Sequence, residues 1–382
     1  GQAAQTVTAS GTGALTYTAG SGISTVTGST GDDRFVFGAN LVDGIAGVGD
    51  TVTGGDGTDT LSILGDTGVD GAFTLVTGIE TLEINTETTG DTIDFALFTD
   101  VITTVNTVLG DTASNNNNTV VTLTDTQAGT FGVSTPTTGS AAITLAGLTV
   151  DLLDATATTD AIAVNLNNTQ VNLANALTVT TLTANDIETI TINADSASTT
   201  TTAVSDDVTI TTLAADDITA LTITGDADFT ITNALGASTN PVDTVNASAA
   251  TDAVNLTFSG SNITYTGGSG VDTLAFGTSL TSADTVDGGD GNDVVSATFS
   301  AGTVTPAAMT SVETFNATFS GGALNNINIL AVSAPYFLIT VSGSIPLYLD
   351  FDIFSNNISN LVSSSGSVGF CRSLILFKGI YL

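Results

Sequence analysis

Leu177-Thr-Val-Thr-Thr-Leu182 and Val208-Thr-Ile-Thr-Thr-Leu213 alternate apolar and hydroxyl-bearing residues, and similar short runs fill the chain to about residue 320. A period of two built from β-branched Thr and Val is the signature of a half-buried strand. Gly, Asn and Asp interrupt the runs at short intervals, and no long 3.6-residue pattern appears, so the pattern predicts an all-β protein. The segment 177–195 aligns without a gap to 208–226, an offset that suits one strand-turn unit repeated. The expected architecture is therefore a set of repetitive modules, either β-sandwich or irregular β-solenoid.

Two further similarities organise the chain. Residues 15–22 (LTYTAGSG) resemble 263–270 (ITYTGGSG), and 51–62 (TVTGGDGTDTLS) resemble 285–296 (TVDGGDGNDVVS). A short phrase recurs as IETLEI at 79–84, IETITI at 187–192 and VETFNA at 312–317. These similarities predict a β module over 1–110, a Thr-rich repetitive β region over 111–240, and a second β module over 241–320. Residues 321–382 form an atypical segment rich in aromatics (Tyr336, Phe337, Tyr348, Phe351, Phe354), and it carries Cys371, Arg372 and Lys378. It reads as an assembly segment or as a different terminal domain.

Composition narrows the chemistry. Of 382 residues, 41% are hydrophobic, enough to fold, yet 38 Asp and Glu face only 3 Lys and Arg, with no His, for a formal charge of -35. Such a chain repels nucleic acid and anionic membranes, and repels itself unless cations screen or bridge its carboxylates. A single cysteine and no histidine leave neither a disulfide framework nor the usual zinc ligands, so hard oxygen-binding ions, chiefly Ca²⁺, are the expected metals. Ser-His and Cys-His nucleophile systems are excluded for the same reason, and acidic pairs such as Asp216-Asp217 read as solvated surface; no enzyme is expected. No basic stretch followed by an apolar one opens the sequence, so a signal is expected either to have been removed or to be replaced by another export route. No apolar run approaches the roughly 18 to 20 residues that span a bilayer, and no membrane insertion is expected.

The candidate site is the glycine-aspartate turn. Gly54-Gly-Asp-Gly-Thr-Asp59-Thr-Leu61, Gly267-Gly-Ser-Gly-Val-Asp272-Thr-Leu274 and Gly288-Gly-Asp-Gly-Asn-Asp293-Val-Val295 each fit the nonapeptide G-G-x-G-x-D-x-U-x. Gly28 to Phe35 misses one glycine, and Ala19 to Val26 has Ser24 in the aspartate's place. Glycines let the backbone curl its carbonyls around an ion, the sixth-position acid supplies charge, and the apolar residue two places on starts a strand. A Ca²⁺ ion wants about 6 to 8 oxygens, more than one loop provides, so adjacent loops must stack to complete a shell. The candidate metal ligands are Asp33, Asp56, Asp59, Asp272, Asp290 and Asp293, with Gly54, Gly57, Gly267, Gly288 and Gly291 shaping the loops. For the acids the competing reading is an ordinary Asp-Gly turn that needs no ion. Arg34 is placed to neutralise Asp33, and Asp50, Asp284 and Asp287, which precede the loops, read more readily as turn residues than as ligands. Thr-x-Thr runs such as Thr178-Val-Thr180 and Thr209-Ile-Thr211 read as strand alternation rather than as an ice-binding face.

These nonapeptides resemble the RTX (repeats-in-toxin) family of secreted calcium-binding proteins, in which such repeats form a parallel β-roll with Ca²⁺ between turns. The wider Thr-Ala-Asp-Gly-rich context and the recurring I-E-T phrase resemble bacterial surface-layer proteins and repetitive adhesins. The resemblance covers about five nonapeptides, near 19–62 and 267–296. They are interrupted by insertions instead of running in tandem, which favours isolated calcium loops over a regular β-roll. It implies RTX-type calcium loops, Ca²⁺ as cofactor, an extracellular or bacterial cell-surface location, and a structural protein that self-associates into a layer or matrix. Cell-surface polysaccharide is a further candidate partner. The alternatives are a calcium-stiffened adhesin module and the noncatalytic part of a secreted hydrolase.

Overall fold

A computed structural model describes residues 4–38, 49–64, 75–87, 92–94, 102–109, 119–123, 129–135, 142–152, 159–169, 176–197, 207–238, 240–260, 262–300, 303–304, 308–319, 325–330, 338–342, 347–352 and 363–364. Every described residue in regular structure lies in a β element, and the strand pairings whose register is described are all parallel; the one antiparallel contact among the described residues is the isolated bridge Ala237 to Asn240. Parallel pairing between strands that alternate along the chain is solenoid-like winding, in which each coil contributes one strand to each of two sheets. A sandwich of hairpins would pair sequence neighbours antiparallel. The chain divides into two compact units, Gly1–Asp217 and Ile218–Leu382.

In the first unit, Gln5–Thr8, Ser24–Thr27, Thr51–Thr53 and Val76–Thr77 form one sheet. The intervening strands Thr16–Thr18, Arg34–Gly38, Thr60–Leu64 and Thr81–Glu87 start a second, which continues through Thr104–Leu109, Gly129–Ser134, Ala161–Asn168 and Thr189–Ser196. A third runs from Thr92–Asp94 through Thr119–Leu123, Leu148–Leu152 and Leu177–Thr183 to Val208–Ala214, with Ile143–Leu145 also beside Leu177–Thr183.

The alternation in the sequence becomes an inside and an outside. Along Ala161–Asn168 the residues Ile162, Val164 and Leu166 are buried, with their neighbours turned outward. Across the second sheet the register stacks Tyr17, Phe35, Leu61, Leu82, Val105, Phe131, Val164 and Ile192 in one buried column. Each such side chain contributes about 1.5 to 3 kcal/mol relative to solvent exposure, so the column is what fixes the register from coil to coil.

The second unit repeats this plan. Leu221, Val245, Tyr265, Val286 and Met309 stack on one sheet, and Ile231, Leu256, Leu274, Val295 and Phe315 on the other, all buried. Strands Asn325–Leu330, Leu338–Ser342 and Leu347–Asp352 carry the parallel pairing into the atypical C-terminal segment. Tyr336, Phe337, Phe354, Cys371, Arg372 and Lys378 lie outside the described residues.

Candidate functional site

The glycine-aspartate turns all occupy one kind of corner, where the chain leaves one sheet for the other. In each unit they lie directly on one another. In the second unit the insertion that separates them in sequence, 276–287, forms the rest of the coil, so one nonapeptide per coil is enough to make a stack.

What holds the stack is a ladder of carboxylates and backbone N–H groups. In the first unit the Leu15 N–H donates to Asp33 Oδ1 at 2.5 Å, the Asp33 N–H to Asp59 Oδ1 at 2.7 Å, and the Asp59 N–H to Glu80 Oε2 at 2.8 Å. In the second, the Val254 N–H donates to Asp272 Oδ1 at 2.9 Å, the Asp272 N–H to Asp293 Oδ1 at 2.8 Å, and the Asp293 N–H to Glu313 Oε2 at 2.7 Å. The rungs span 18, 26 and 21 residues in one unit and 18, 21 and 20 in the other. Each acid thus satisfies an N–H of the preceding coil; those of Asp33, Val254 and Asp272 lie in buried rungs and would otherwise cost about 1 to 3 kcal/mol each.

Glu80 and Glu313 were not among the sequence candidates, although their phrase was visible. At these coils the six-residue corner shrinks to Gly78-Ile-Glu80 and Ser311-Val-Glu313, and the longer glutamate arm reaches the N–H that an aspartate reaches elsewhere. Glu188 of the third I-E-T phrase does the same for the Asp160 N–H at 2.8 Å. Asp50 and Asp284 also prove to be buried acceptors, taking the Ser24 N–H at 2.6 Å and the Ile263 N–H at 2.7 Å. They are turn residues, as their position suggested, and they brace the neighbouring coil as well.

The third-position acids sit apart: Asp56 and Asp290 are exposed on the rim. Gly57 and Gly291 adopt φ of +122° and +137°, a backbone that other residues resist. Gly54, Gly267 and Gly288 have another reason to be glycine. A Cβ at Gly54 would overlap the Gly78 carbonyl oxygen and Asp59 Oδ2; at Gly288, the Ser311 carbonyl oxygen and Asp293 Oδ2; at Gly267, the Gly288 carbonyl oxygen.

The second carboxylate oxygens separate the four aspartates into two pairs. Asp33 Oδ2 accepts the Ser29 N–H at 2.5 Å, and Asp272 Oδ2 accepts the Tyr265 hydroxyl at 2.7 Å. No donor reaches Asp59 Oδ2 or Asp293 Oδ2, which are buried. Each faces a backbone carbonyl oxygen across the space beside a glycine Cα, acceptor against acceptor. Arg34 gives no relief, contrary to the expectation that it neutralises Asp33: its guanidinium pairs with Glu83 and donates to Ser62 Oγ at 3.1 Å. That pairing holds the Glu83 carboxyl below its ordinary range.

Burial pushes the Asp59, Asp272 and Asp293 carboxyls up, and Asp293 reaches about 7. Repulsion from Asp33, Glu80 and Asp32 adds to the rise at Asp59, and repulsion from Asp272, Glu313 and Asp287 at Asp293. An acid with a raised folded pKa contributes stability that is complete below its unfolded value and lost as pH rises through the folded one. In chelator, stability is therefore expected to fall between about pH 4 and pH 7, and Asp293→Asn is expected to flatten that decline in denaturant titrations at stepped pH. An unchanged slope in the variant would remove Asp293 from the account.

Either a proton or a cation resolves two facing acceptors. The available ligand atoms are all hard oxygens, a carboxylate and a backbone carbonyl at each place, and that chemistry fits a hard divalent cation at Asp59 with the Gly78 carbonyl and at Asp293 with the Ser311 carbonyl. Among the described residues no three acidic side chains converge on one point, so backbone carbonyls would have to supply much of any shell. Compared with known proteins, the chain matches no family model, no curated protein and no solved structure.

Proposed function

We propose that this chain is a calcium-stabilised structural β-solenoid of the bacterial cell surface or extracellular matrix, one that self-associates and does no catalysis. The observation that carries this reading is the pair of buried, donorless oxygens, Asp59 Oδ2 and Asp293 Oδ2, found at the same place in two separate corner stacks. Asp59 and Asp293 would hold the ion with the Gly78 and Ser311 carbonyls, while Asp33 and Asp272 keep their oxygens on protein donors. When bound, the ion supplies positive charge where acids crowd, joining one coil to the next. The formal charge of -35 supports the same reading, since a chain this acidic packs against copies of itself only when cations screen or bridge it.

The test is a calcium titration into chelated full-length chain, with unfolding followed by circular dichroism and size by light scattering. Binding to the folded form alone stabilises it by RT ln(1 + [L]/Kd), about 2.7 kcal/mol per site at a hundredfold excess over Kd. A rise in stability with particle growth is the expected result. Stabilisation without growth would sink self-association and leave the metal; no response in either would sink both.

A further inference from the structure

The first sheet of the N-terminal unit carries a surface that the corner chemistry does not use. Its strands read Gln5-Thr-Val-Thr8, Ser24-Thr-Val-Thr27, Thr51-Val-Thr53 and Val76-Thr77. Their register places the threonines in two columns, Thr6–Thr25–Thr51 and Thr8–Thr27–Thr53–Thr77. Between the columns runs a third made only of valines, Val7–Val26–Val52–Val76, of which Val26, Val52 and Val76 are buried. An identical side chain at every step beneath the sheet keeps neighbouring strands level. The threonines face out: Thr6, Thr8 and Thr25 are exposed, and the rest are half-exposed.

We infer that this face binds ice. Parallel strands set the threonines about 4.7 to 4.9 Å apart down each column and about 6.6 Å apart between columns, a rectangular backbone net of one repeating group; at its last step the Thr77 hydroxyl leans over to donate to the Thr53 hydroxyl at 3.4 Å. Hexagonal ice presents its oxygens on the prism face as a rectangular net of comparable repeat. Threonine suits such a surface, because its methyl orders water around it while its hydroxyl joins the same layer.

Charge sets the choice of occupant. In a chain with 38 acidic residues, these four strands carry none, and no basic residue either. A charged side chain would hold its own hydration shell against the lattice. The strands also lack the aromatic rings on which a sugar face would stack. The Thr-x-Thr runs at 178–180 and 209–211 gave no such reading as sequence; the ladder lies in the N-terminal coils, where register was invisible.

The experiment is ice partitioning with calcium present throughout. Full-length chain is mixed with a non-binding reference protein, a seed crystal is grown slowly, and the ratio in ice is compared with the ratio in liquid. Wild type is expected to be enriched in ice over the reference, and Thr25→Glu/Thr51→Glu to lose that enrichment with an unchanged circular dichroism spectrum. Thr264→Glu, on the second unit, is expected to keep it. If the double variant fails to fold, Thr25→Glu alone carries the test. Exclusion of wild type from ice, equal enrichment of the variants, or a Thr25-dependent dimer without enrichment would each overturn the inference.

Discussion

Asp59→Asn and Asp293→Asn are expected to stabilise the chain in chelator and to abolish its response to calcium. The asparagine oxygen can still accept the Asp33 or Asp272 N–H, so the rung survives. Its amide NH₂ can turn a donor toward the carbonyl that Oδ2 now opposes, and no charge remains buried. A donorless buried polar atom costs about 1 to 3 kcal/mol, and the gain per site in chelator should be of that order. With calcium the sign should reverse, because wild type gains binding energy that the amide cannot. Asp59→Ala and Asp293→Ala supply the contrast: they strand a buried N–H, so each should lie about 1 to 3 kcal/mol below its asparagine counterpart whether or not calcium is present. Urea unfolding of all four variants in chelator and in calcium measures this. An asparagine variant that is destabilised in chelator would mean that the second oxygen has a donor after all.

The second large effect is expected at the first glycine of each complete corner. Gly54→Ala and Gly288→Ala place a methyl into a backbone carbonyl and an aspartate of the same stack. The carboxylate oxygen is a side-chain end that can swing aside, but the carbonyl is backbone and cannot, so the coils must part, and the loss should lie at or above the roughly 3 kcal/mol upper end of overpacking. Gly13→Ala, where a Cβ meets nothing within 4 Å, should be neutral or stabilising by about 0.4 to 1 kcal/mol. Midpoints of thermal unfolding in calcium would rank the three. Equal midpoints for Gly54→Ala and Gly13→Ala would show that the corners are not closely stacked.

Strand content was legible because it rests on local facts. Thr-Val alternation makes strands wherever it occurs, and the gapless match of 177–195 to 208–226 is realised as stacking of Leu177 beside Val208. The nonapeptides marked the right corners for the same reason. Their partners were not legible, because an N–H donor 18 to 26 residues from its acceptor is set by coil length, which local spacing does not encode. Hence Glu80 and Glu313 appeared as part of a recurring phrase without a role, and Asp50 and Asp284 as turn residues without a rung. The sandwich and the solenoid were likewise indistinguishable until pairing direction was known, since both show a period of two. Arg34 misled because adjacency in sequence put it beside Asp33, whereas alternation turns it to the outer face and Glu83.

The uneven spans of the rungs, from 18 to 26 residues in one unit, bear on how such a chain can change length. Coils of different length still set each acid on an N–H of the coil before it, and the corner itself shortens at Glu80 without losing the rung. Such a chain keeps its alignment contact by contact, and the number of residues between one contact and the next is free to drift.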